Sequence, residues 1–433
     1  MTRTISIGCG SISGGDRLEP GAELAGSGLV TYMGFDCLAE RTLALAQVRR
    51  QSDPGSGYDP RLPDLIRLYT GFLSGGGRLV GNFGQANVDA GLDVTRRALA
   101  EYGLNGIRIG VVRGDDVLDA VRAADVELPE MGCRYRDMAD QVISAHAYIG
   151  AEPVVEALDQ GAQIVLGGRL ADPSVWVGPI CYELGWSLTD WDKVAMATLA
   201  GHLLEGGIGR RPSEPDRHLP LGYPLATVDE DGQLTLSKLD GRSGPIDLKA
   251  GRLGMAHEIH DPRRYLTPDV TANFSEVGFT EVGPQQLRAY GATGSPPPDS
   301  YRVLVGLDLG WKVVGEVSFG GPGCVERAAE QGEVVKSLLS RWSDQIDDLL
   351  ISTHGVDAVF LGAIKGGYPA DCRLRIAARI RSREAAEDVA EIYWRLYGNG
   401  GGGVTRAIDK AIGVTPAFLP RSSVDLEMEV VES

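Results

Sequence analysis

Cysteine, positive charge and long apolar runs are all scarce in this 433-residue chain, and each scarcity excludes a class of protein. The six cysteines show no CxxC spacing, so we expect free thiols in a reducing compartment and no metal site. Aspartate and glutamate total 59 against 42 lysines and arginines, and the net charge of −17 argues against nucleic acid or an anionic membrane as a partner. Because no apolar run approaches the roughly 20 residues of a membrane span, we expect a cytoplasmic protein.

Apolar, β-branched runs near the start of the chain repeatedly stop at small or glycine-rich segments that carry polar groups. Strands that end in this way and alternate with helices predict an α/β fold with a doubly wound, mostly parallel sheet. Ligands of such sheets collect at the carboxyl ends of the strands, so we expect the functional site there. The five segments are residues 5–15, 29–40, 79–87, 107–116 and 164–174.

Between and after these strands, apolar residues recur at three- and four-residue spacing, which predicts amphipathic helices. The predicted helices are residues 37–50, 61–73, 88–102, 115–124, 138–160, 174–184 and 191–205.

The second half of the chain has more closely spaced strand signals and predicts an α+β domain. An Asp-Gly turn between the apolar runs 225–228 and 234–239 is typical of a β-hairpin. The stretch 206–222 is rich in glycine, proline and charge, so we place a domain boundary there, giving domains of residues 1–210 and 211–433. Further strands are predicted at 301–307, 311–319, 358–361 and 373–381, and helices at 324–348 and 383–397.

The first strand end is the first of two dense polar segments. Gly14 and Gly15 can present backbone amides to an oxyanion or enolate, Asp16 can transfer a proton, and Arg17 can hold an anion. The same charges can instead form an ion pair that fixes the loop. Glycines 8, 10, 14 and 15 also leave open a dinucleotide site with Asp36 on the ribose, although their spacing is not GxGxxG.

The fifth strand end is the second dense segment. Arg169 directly follows two glycines, and an arginine in this position can grip a carboxylate or phosphate through two parallel hydrogen bonds. The backbone N–H of Gly168 can help to hold the same group. Asp172 precedes Pro173 and either contributes to the site or caps the following helix.

The remaining candidates are individually weaker. Asn82, Asn87 and Asp115 follow the third and fourth strands, where such residues also make ordinary turns and caps. Glu40 is a second candidate for proton transfer. His146 is a candidate general acid or base because histidine titrates near neutrality, and a structural histidine is the alternative.

Histidine and carboxylate also occur close together elsewhere, without a metal-binding pattern. His202 and Glu205 share an i, i+3 spacing on a predicted helix but have no further ligand in register. The segment HEIHD at 257–261 would divide its side chains between the two faces of a strand, so we interpret it as a polar turn. The glycine run at 398–403 is interpreted as a hinge or, alternatively, an anion-binding nest.

Several long runs of the chain resemble the acyclic terpene utilisation AtuA family. This family is named for bacterial citronellol and geraniol breakdown, in which the substrates are acyl-CoA thioesters. The arginine and aspartate of its GR-x-A-D segment correspond to Arg169 and Asp172, and its usual asparagine is replaced here by His146. The runs are SGGDRLEPGAELA (13–25), FDCLAERTLALAQ (35–47), AYIGAEPVVEALDQGAQIVLGGRLADPS (147–174), YLTPDVTANFSEV (265–277) and GEVSFGGPG (315–323).

Together these patterns favour an enzyme without a cofactor, acting on a small carboxylate or acyl-CoA-like substrate. The expected chemistry is of lyase, hydratase or hydrolase type, with Asp16, Glu40 and His146 as catalytic candidates. Two alternatives remain open: an NAD(P)-dependent oxidoreductase, and a non-catalytic subunit of an acyl-CoA-processing assembly. A homo-oligomer is expected for an enzyme of this size.

Overall fold

The computed structural model of the chain describes residues 3–210, 219–359, 363, 367–396 and 401–433. The chain divides into two compact units, residues 1–306 with 414–433 and residues 307–413. None of the helices in the described ranges is both long and apolar enough to cross a membrane.

The strands and helices are numbered in chain order. The strands are β1 (Thr4–Ser11), β2 (Tyr32–Phe35), β3 (Arg78–Gly81), β4 (Arg108–Arg113), β5 (Glu127–Leu128), β6 (Cys133–Arg134), β7 (Val142–Ala147), β8 (Ile164–Gly167), β9 (Pro224–Asp229), β10 (Leu234–Lys238), β11 (Tyr265–Leu266), β12 (Thr271–Asn273), β13 (Gly278–Gly283), β14 (Gln286–Tyr290), β15 (Thr293–Ser295), β16 (Ser300–Gly320), β17 (Ile346–His354), β18 (Asp371–Ile380), β19 (Gly402–Pro420) and β20 (Glu427–Glu432). The helices are α1 (Glu19–Gly26), α2 (Glu40–Ser52), α3 (Leu62–Leu68), α4 (Thr70–Ser74), α5 (Val88–Glu101), α6 (Leu118–Ala124), α7 (Glu152–Asp159), α8 (Ser174–Leu184), α9 (Trp191–Glu205), α10 (Leu248–Met255), α11 (Cys324–Leu339) and α12 (Arg383–Arg395).

A ten-stranded sheet organises the larger unit, in the order β13-β14-β10-β9-β1-β2-β3-β8-β4-β20. Its five central strands, β1, β2, β3, β8 and β4, are parallel, and the flanking strands β9 and β20 pair antiparallel with β1 and β4. The central strands are the five that the sequence predicts, so the α/β fold with a mostly parallel sheet is confirmed. Their carboxyl ends therefore lie along one edge.

Helices cover both faces of this sheet, as the doubly wound prediction requires. On one face, α3 and α5 bury Leu65 and Leu99 against the strands. On the other, α8 brings the buried Trp176 so close to β2 that a side chain at Gly34 would overlap its indole ring. Each large apolar side chain buried in this way stabilises the fold by about 1.5–3 kcal/mol.

The two units do not divide at residues 210 and 211. The predicted hairpin forms as β9 and β10, but it extends the N-terminal sheet past β1 instead of starting a new domain. Similarly, the C-terminal strand β20 pairs with β4 at the other side. The physical reason is that an uncovered parallel edge exposes a row of unpaired backbone groups, and an added antiparallel strand satisfies them. Residues 211–218 of the predicted linker lie outside the described residues.

Two predicted helices of the larger unit differ from those observed. The window 138–160 contains strand β7 followed by the shorter helix α7. The window 61–73 is split between α3 and α4 at Tyr69. In the first case the β-branched pair Val142 and Ile143 favours an extended chain, and Tyr148 directly after β7 donates its backbone N–H to the carbonyl of Arg302.

The smaller unit contains an antiparallel arrangement of β17, β18 and β16, with α11 and α12 contributing apolar side chains to one core. The predicted strands 301–307 and 311–319 are one continuous strand, and the helix predicted at 324–348 ends at Leu339. Parts of the predicted strand 358–361, of the predicted helix 383–397 and of the glycine run 398–403 lie outside the described residues.

Candidate functional site

Polar residues directly follow the central strands and meet at the carboxyl edge of the sheet. Asp36 follows β2, Asn82 follows β3, Gly168 and Arg169 follow β8, and Asp115 comes shortly after β4. Because these strands are neighbours in the sheet, residues far apart in the chain contact one another at this edge. Asp36, Asn82, Asp115 and Arg169 are all buried.

Arg169 lies at the centre of this edge, with only 1% of its surface exposed. Its Nη2 is 2.8 Å from Oδ1 of Asp172, its Nη1 is 4.0 Å from Oδ1 of Asp36, and its guanidinium carbon stacks 4.1 Å from the centre of the Tyr148 ring. Burial opposes the charge, but the nearby carboxylates raise the pKa of Arg169 further, so it stays a cation. Among the described residues, neither Nε nor Nη1 has a hydrogen-bond partner.

Asp36 is a buried carboxyl beside this cation. Its Oδ1 accepts hydrogen bonds from Nδ2 of Asn82 at 2.5 Å and from the backbone N–H of Leu38 at 3.1 Å. Burial and the negative charge of Asp172 raise its pKa to about 8, although Arg169 and these hydrogen bonds oppose the shift. A carboxyl group in this state exists in both protonation forms near neutral pH.

Glu40, the first residue of α2, has the opposite shift. Its Oε1 accepts a hydrogen bond from the Tyr148 hydroxyl at 3.0 Å and lies 3.7 Å from Nη2 of Arg302. Burial favours its neutral form, but the charge of Arg169 and these contacts prevail and lower its pKa. Two carboxyl groups near one arginine therefore have pKa values moved in opposite directions, a pattern found where one group acts as acid and another as base.

Asp115 and His146 form a buried pair behind the strand end. Oδ2 of Asp115 lies 2.9 Å from Nδ1 of His146 and accepts the backbone N–H of Arg169 at 2.8 Å. A side chain at Gly168 would lie 2.2 Å from the same carboxylate, so this position requires glycine. Nε2 of His146 has no hydrogen-bond partner among the described residues. The pair positions the start of the loop that carries Arg169.

The first strand end is arranged differently from the fifth. Asp16 accepts the backbone N–H of Ile12 at 2.7 Å and forms an ion pair with Arg210 at 2.9 Å. Arg17 is exposed and contacts Glu19, also exposed, at 3.6 Å. These contacts correspond to the ion pair that fixes the loop, which was the alternative interpretation of this segment.

The glycines of this segment are divided between strand β1 and the loop that follows it. Gly8 and Gly10 lie inside β1, where an added Cβ would overlap Met33 and Phe35. Gly14 and Gly15 do lie in the loop after the strand, and the backbone N–H of Gly15 donates to Ser13 Oγ at 3.1 Å. The glycines inside the strand therefore serve close packing between β1 and its neighbour.

Two further candidates have clear local roles. Asn87 caps α5 by accepting the backbone N–H of Ala90 at 3.3 Å, and its Nδ2 donates to the carbonyl of Ser56 at 2.7 Å. Asp172 does not cap α8, whose N-cap Pro173 makes no side-chain hydrogen bond; its carboxylate faces Arg169 instead. Of the two interpretations of Asp172, the contact with Arg169 is the one observed.

Glu205 lies close enough to this edge for its charge to interact with Asp172 and Asp36. Burial, followed by those two charges, raises its pKa to about 9. The sequence spacing paired it with His202, but His202 is buried and its Nε2 lies 3.1 Å from the carbonyl of Gly254, which makes it a structural residue. The segment 257–261 contains neither helix nor strand, as the predicted polar turn requires, and its His257 lies beside Glu205. No short-range pattern links these residues, because they belong to segments about 50 residues apart.

Sequence reasoning also missed the roles of two residues at this edge. Asp36 was considered only as a ribose ligand, although its position directly after β2 marks it as a strand-end residue like Arg169. Arg302 lies near the start of β16 and has no strand-end signal; its guanidinium carbon lies 4.9 Å from the Tyr148 ring centre. Only the folded chain brings it to Glu40.

Comparison with known proteins agrees with the resemblance carried by the sequence runs. The model of the family described as acyclic terpene utilisation family protein AtuA matches residues 5–430. No curated protein matches the chain. Since the family match spans nearly all 433 residues and both compact units, the chain belongs to the AtuA family.

Proposed function

We propose that this AtuA protein is an enzyme that acts on a small carboxylate or acyl thioester by acid–base catalysis, with lyase, hydratase or hydrolase chemistry. The observation that carries the proposal is the juxtaposition of Arg169 and Asp36. A buried guanidinium, whose Nε and Nη1 have no hydrogen-bond partner within the described part of the chain, lies 4.0 Å from a carboxyl group whose pKa is raised to about 8. Perturbed titratable groups beside a fixed cation are typical of catalytic sites.

Arg169 would bind the anionic group of the substrate. Its guanidinium is held by the Tyr148 ring and by Asp172, so its orientation is set before a ligand arrives. Nε and Nη1 can donate hydrogen bonds to the oxygens of a carboxylate or phosphate. The planar guanidinium matches the geometry of such groups better than a lysine ammonium does. Burial strengthens this interaction because little water competes for the donors.

Asp36 and Glu40 would move protons. With a pKa of about 8, Asp36 carries a proton in a large fraction of molecules at neutral pH and can donate it. Both hydrogen bonds that Asp36 accepts within the described residues are to its Oδ1, so its Oδ2 remains available to contact a substrate atom. Glu40 has a lowered pKa and stays ionised, so it can accept a proton or stabilise positive charge. His146 and Asp16 were candidates for this role; their contacts with Asp115 and Arg210 favour positioning roles.

A substrate screen tests this proposal. The purified protein is incubated with a panel of acyl-CoA thioesters and small hydroxy acids, and conversion is followed by mass spectrometry. We expect Asp36→Asn to lower kcat for a converted compound by at least about 100-fold, the usual contribution of a general acid. Arg169→Lys should mainly raise KM, because two-point binding is lost. Arg17→Lys, the same change at an exposed position, should alter neither constant.

Two results would contradict the proposal. In the first, Asp36→Asn and Arg169→Lys convert the compound as fast as the parent protein while remaining folded by circular dichroism. In the second, the protein converts no panel member but binds NADH or NADPH saturably in a fluorescence titration, which would favour the oxidoreductase alternative.

A further inference from the structure

Three potential ligand side chains from two separate segments come together near the carboxyl edge. Glu205 is the last residue of α9, and His257 and Glu258 follow α10. Carboxylate oxygens and an imidazole nitrogen from these residues all lie within 4.8 Å of one another. Nε2 of His257 is 3.6 Å from Oε1 of Glu258. The imidazole distinguishes this group from a cluster of solvated acids.

We propose that Glu205, His257 and Glu258 bind one divalent transition-metal cation, with Mn²⁺ and Zn²⁺ as the best-suited ions. Oxygen and nitrogen ligands lie about 2.0–2.2 Å from such an ion, so two ligands of one ion are about 3–4 Å apart. The observed separations are within 4.8 Å, so the ligand atoms would have to move closer by about 1–2 Å at most to hold one ion. One imidazole with two carboxylates suits these ions better than Ca²⁺ or Mg²⁺, which prefer oxygen ligands alone.

The surrounding charge favours a cation at this position. Glu205 lies near the negative charges of Asp172 and Glu258, with Arg169 as the opposing charge. Carboxylates held this close repel one another, and a divalent ion offsets that repulsion more effectively than a single proton does.

The site is also accessible. His257 lines a cleft of about 480 Å³ together with Gly206–Gly209 and residues of α10. About 41% of the His257 side chain and 64% of the Glu258 side chain are exposed, so a hydrated ion can reach both without local unfolding. Three protein ligands leave further coordination positions for water or for an oxygen of a bound molecule.

Mn²⁺ titration of the metal-free protein tests the site. Free Mn²⁺ is measured by its electron paramagnetic resonance signal, which broadens on binding, and competition with Zn²⁺ is measured in the same assay. We expect one saturable site per chain. Glu205→Gln, His257→Ala and Glu258→Gln should each weaken binding at least about 10-fold, since even loss of a residue that only orients a ligand costs this much. His260→Ala, an exposed histidine of the same segment, is the matched control.

Each outcome of the titration either supports or overturns the proposed metal site. The proposal is overturned if the parent protein has no saturable site, if the three ligand variants bind as tightly as the parent, or if His260→Ala weakens binding as much as they do. Glu258→Gln changes an exposed side chain and should remain folded, so its result does not depend on tolerance of a buried change. Mn²⁺ should also raise the melting temperature of the parent but not of His257→Ala. None of these measurements requires a substrate, so they are independent of the acid–base proposal.

Discussion

Replacing Asp36 with asparagine should make the stability of this protein less dependent on pH. In the folded state, burial and the charge of Asp172 raise the pKa of Asp36 from about 3.8 to about 8. Between these two values the folded chain keeps a proton that the unfolded chain releases. The free energy of unfolding therefore falls as pH rises through this interval, and the contribution of a neutral Asp36 is lost by the time pH reaches about 8. Asparagine resembles the protonated carboxyl in shape and cannot ionise.

The size of the effect follows from the proton balance. One proton bound by the folded but not by the unfolded state changes stability by about 1.4 kcal/mol per pH unit. Between pH 5 and 8 this amounts to at most about 4 kcal/mol, because neighbouring carboxyl groups share part of the response. At pH 5 the variant should differ from the parent by about 1 kcal/mol or less, since the asparagine Oδ1 can keep the hydrogen bonds from Asn82 and Leu38.

Urea unfolding followed by tryptophan fluorescence at pH 5, 6, 7 and 8 measures this difference. Asp36→Asn should gain stability relative to the parent at each step. Asp64→Asn, at a side chain that is 68% exposed, is the matched control. Its free energy of unfolding should change with pH as that of the parent does. The reasoning is refuted if the free energies of unfolding of the parent and of Asp36→Asn change with pH in parallel. It is also refuted if the variant becomes less stable relative to the parent as pH rises.

Three further substitutions test the packing around the candidate site by urea unfolding. Arg169→Ala should destabilise the protein by about 3–5 kcal/mol because it leaves the buried Asp36 and the half-buried Asp172 without their cation, whereas the exposed Arg17→Ala should stay within about 0.5 kcal/mol. Gly168→Ala should cost about 1–3 kcal/mol because its Cβ overlaps a carboxylate; Gly26→Ala, with open space around it, should cost nothing. Asn87→Ala should cost about 1 kcal/mol through the lost helix cap. Equal effects for a site residue and its control would contradict these assignments.

Much of the larger sheet could be predicted from the sequence because the signals are local. The five central strands were found by their β-branched runs and terminal glycines, and the Asp-Gly turn correctly predicted the β9–β10 hairpin. The contact of Arg169 with Asp172 also lies within one short segment. The placement of β20 beside β4 could not be predicted, because nothing near residue 430 specifies which edge the strand joins.

The sequence by itself determined the fold class, the edge at which polar side chains gather and the family, since periodicity, strand ends and long similar runs are all properties of contiguous residues. The tertiary structure decided which of those side chains contact one another. Asp36 reaches Arg169 across 133 positions, Asp16 is paired with Arg210 on a later segment, and His257 rather than His202 lies beside Glu205. Burial, and with it the raised pKa of Asp36 on which the proposed chemistry depends, arises only when distant segments exclude water from the same place.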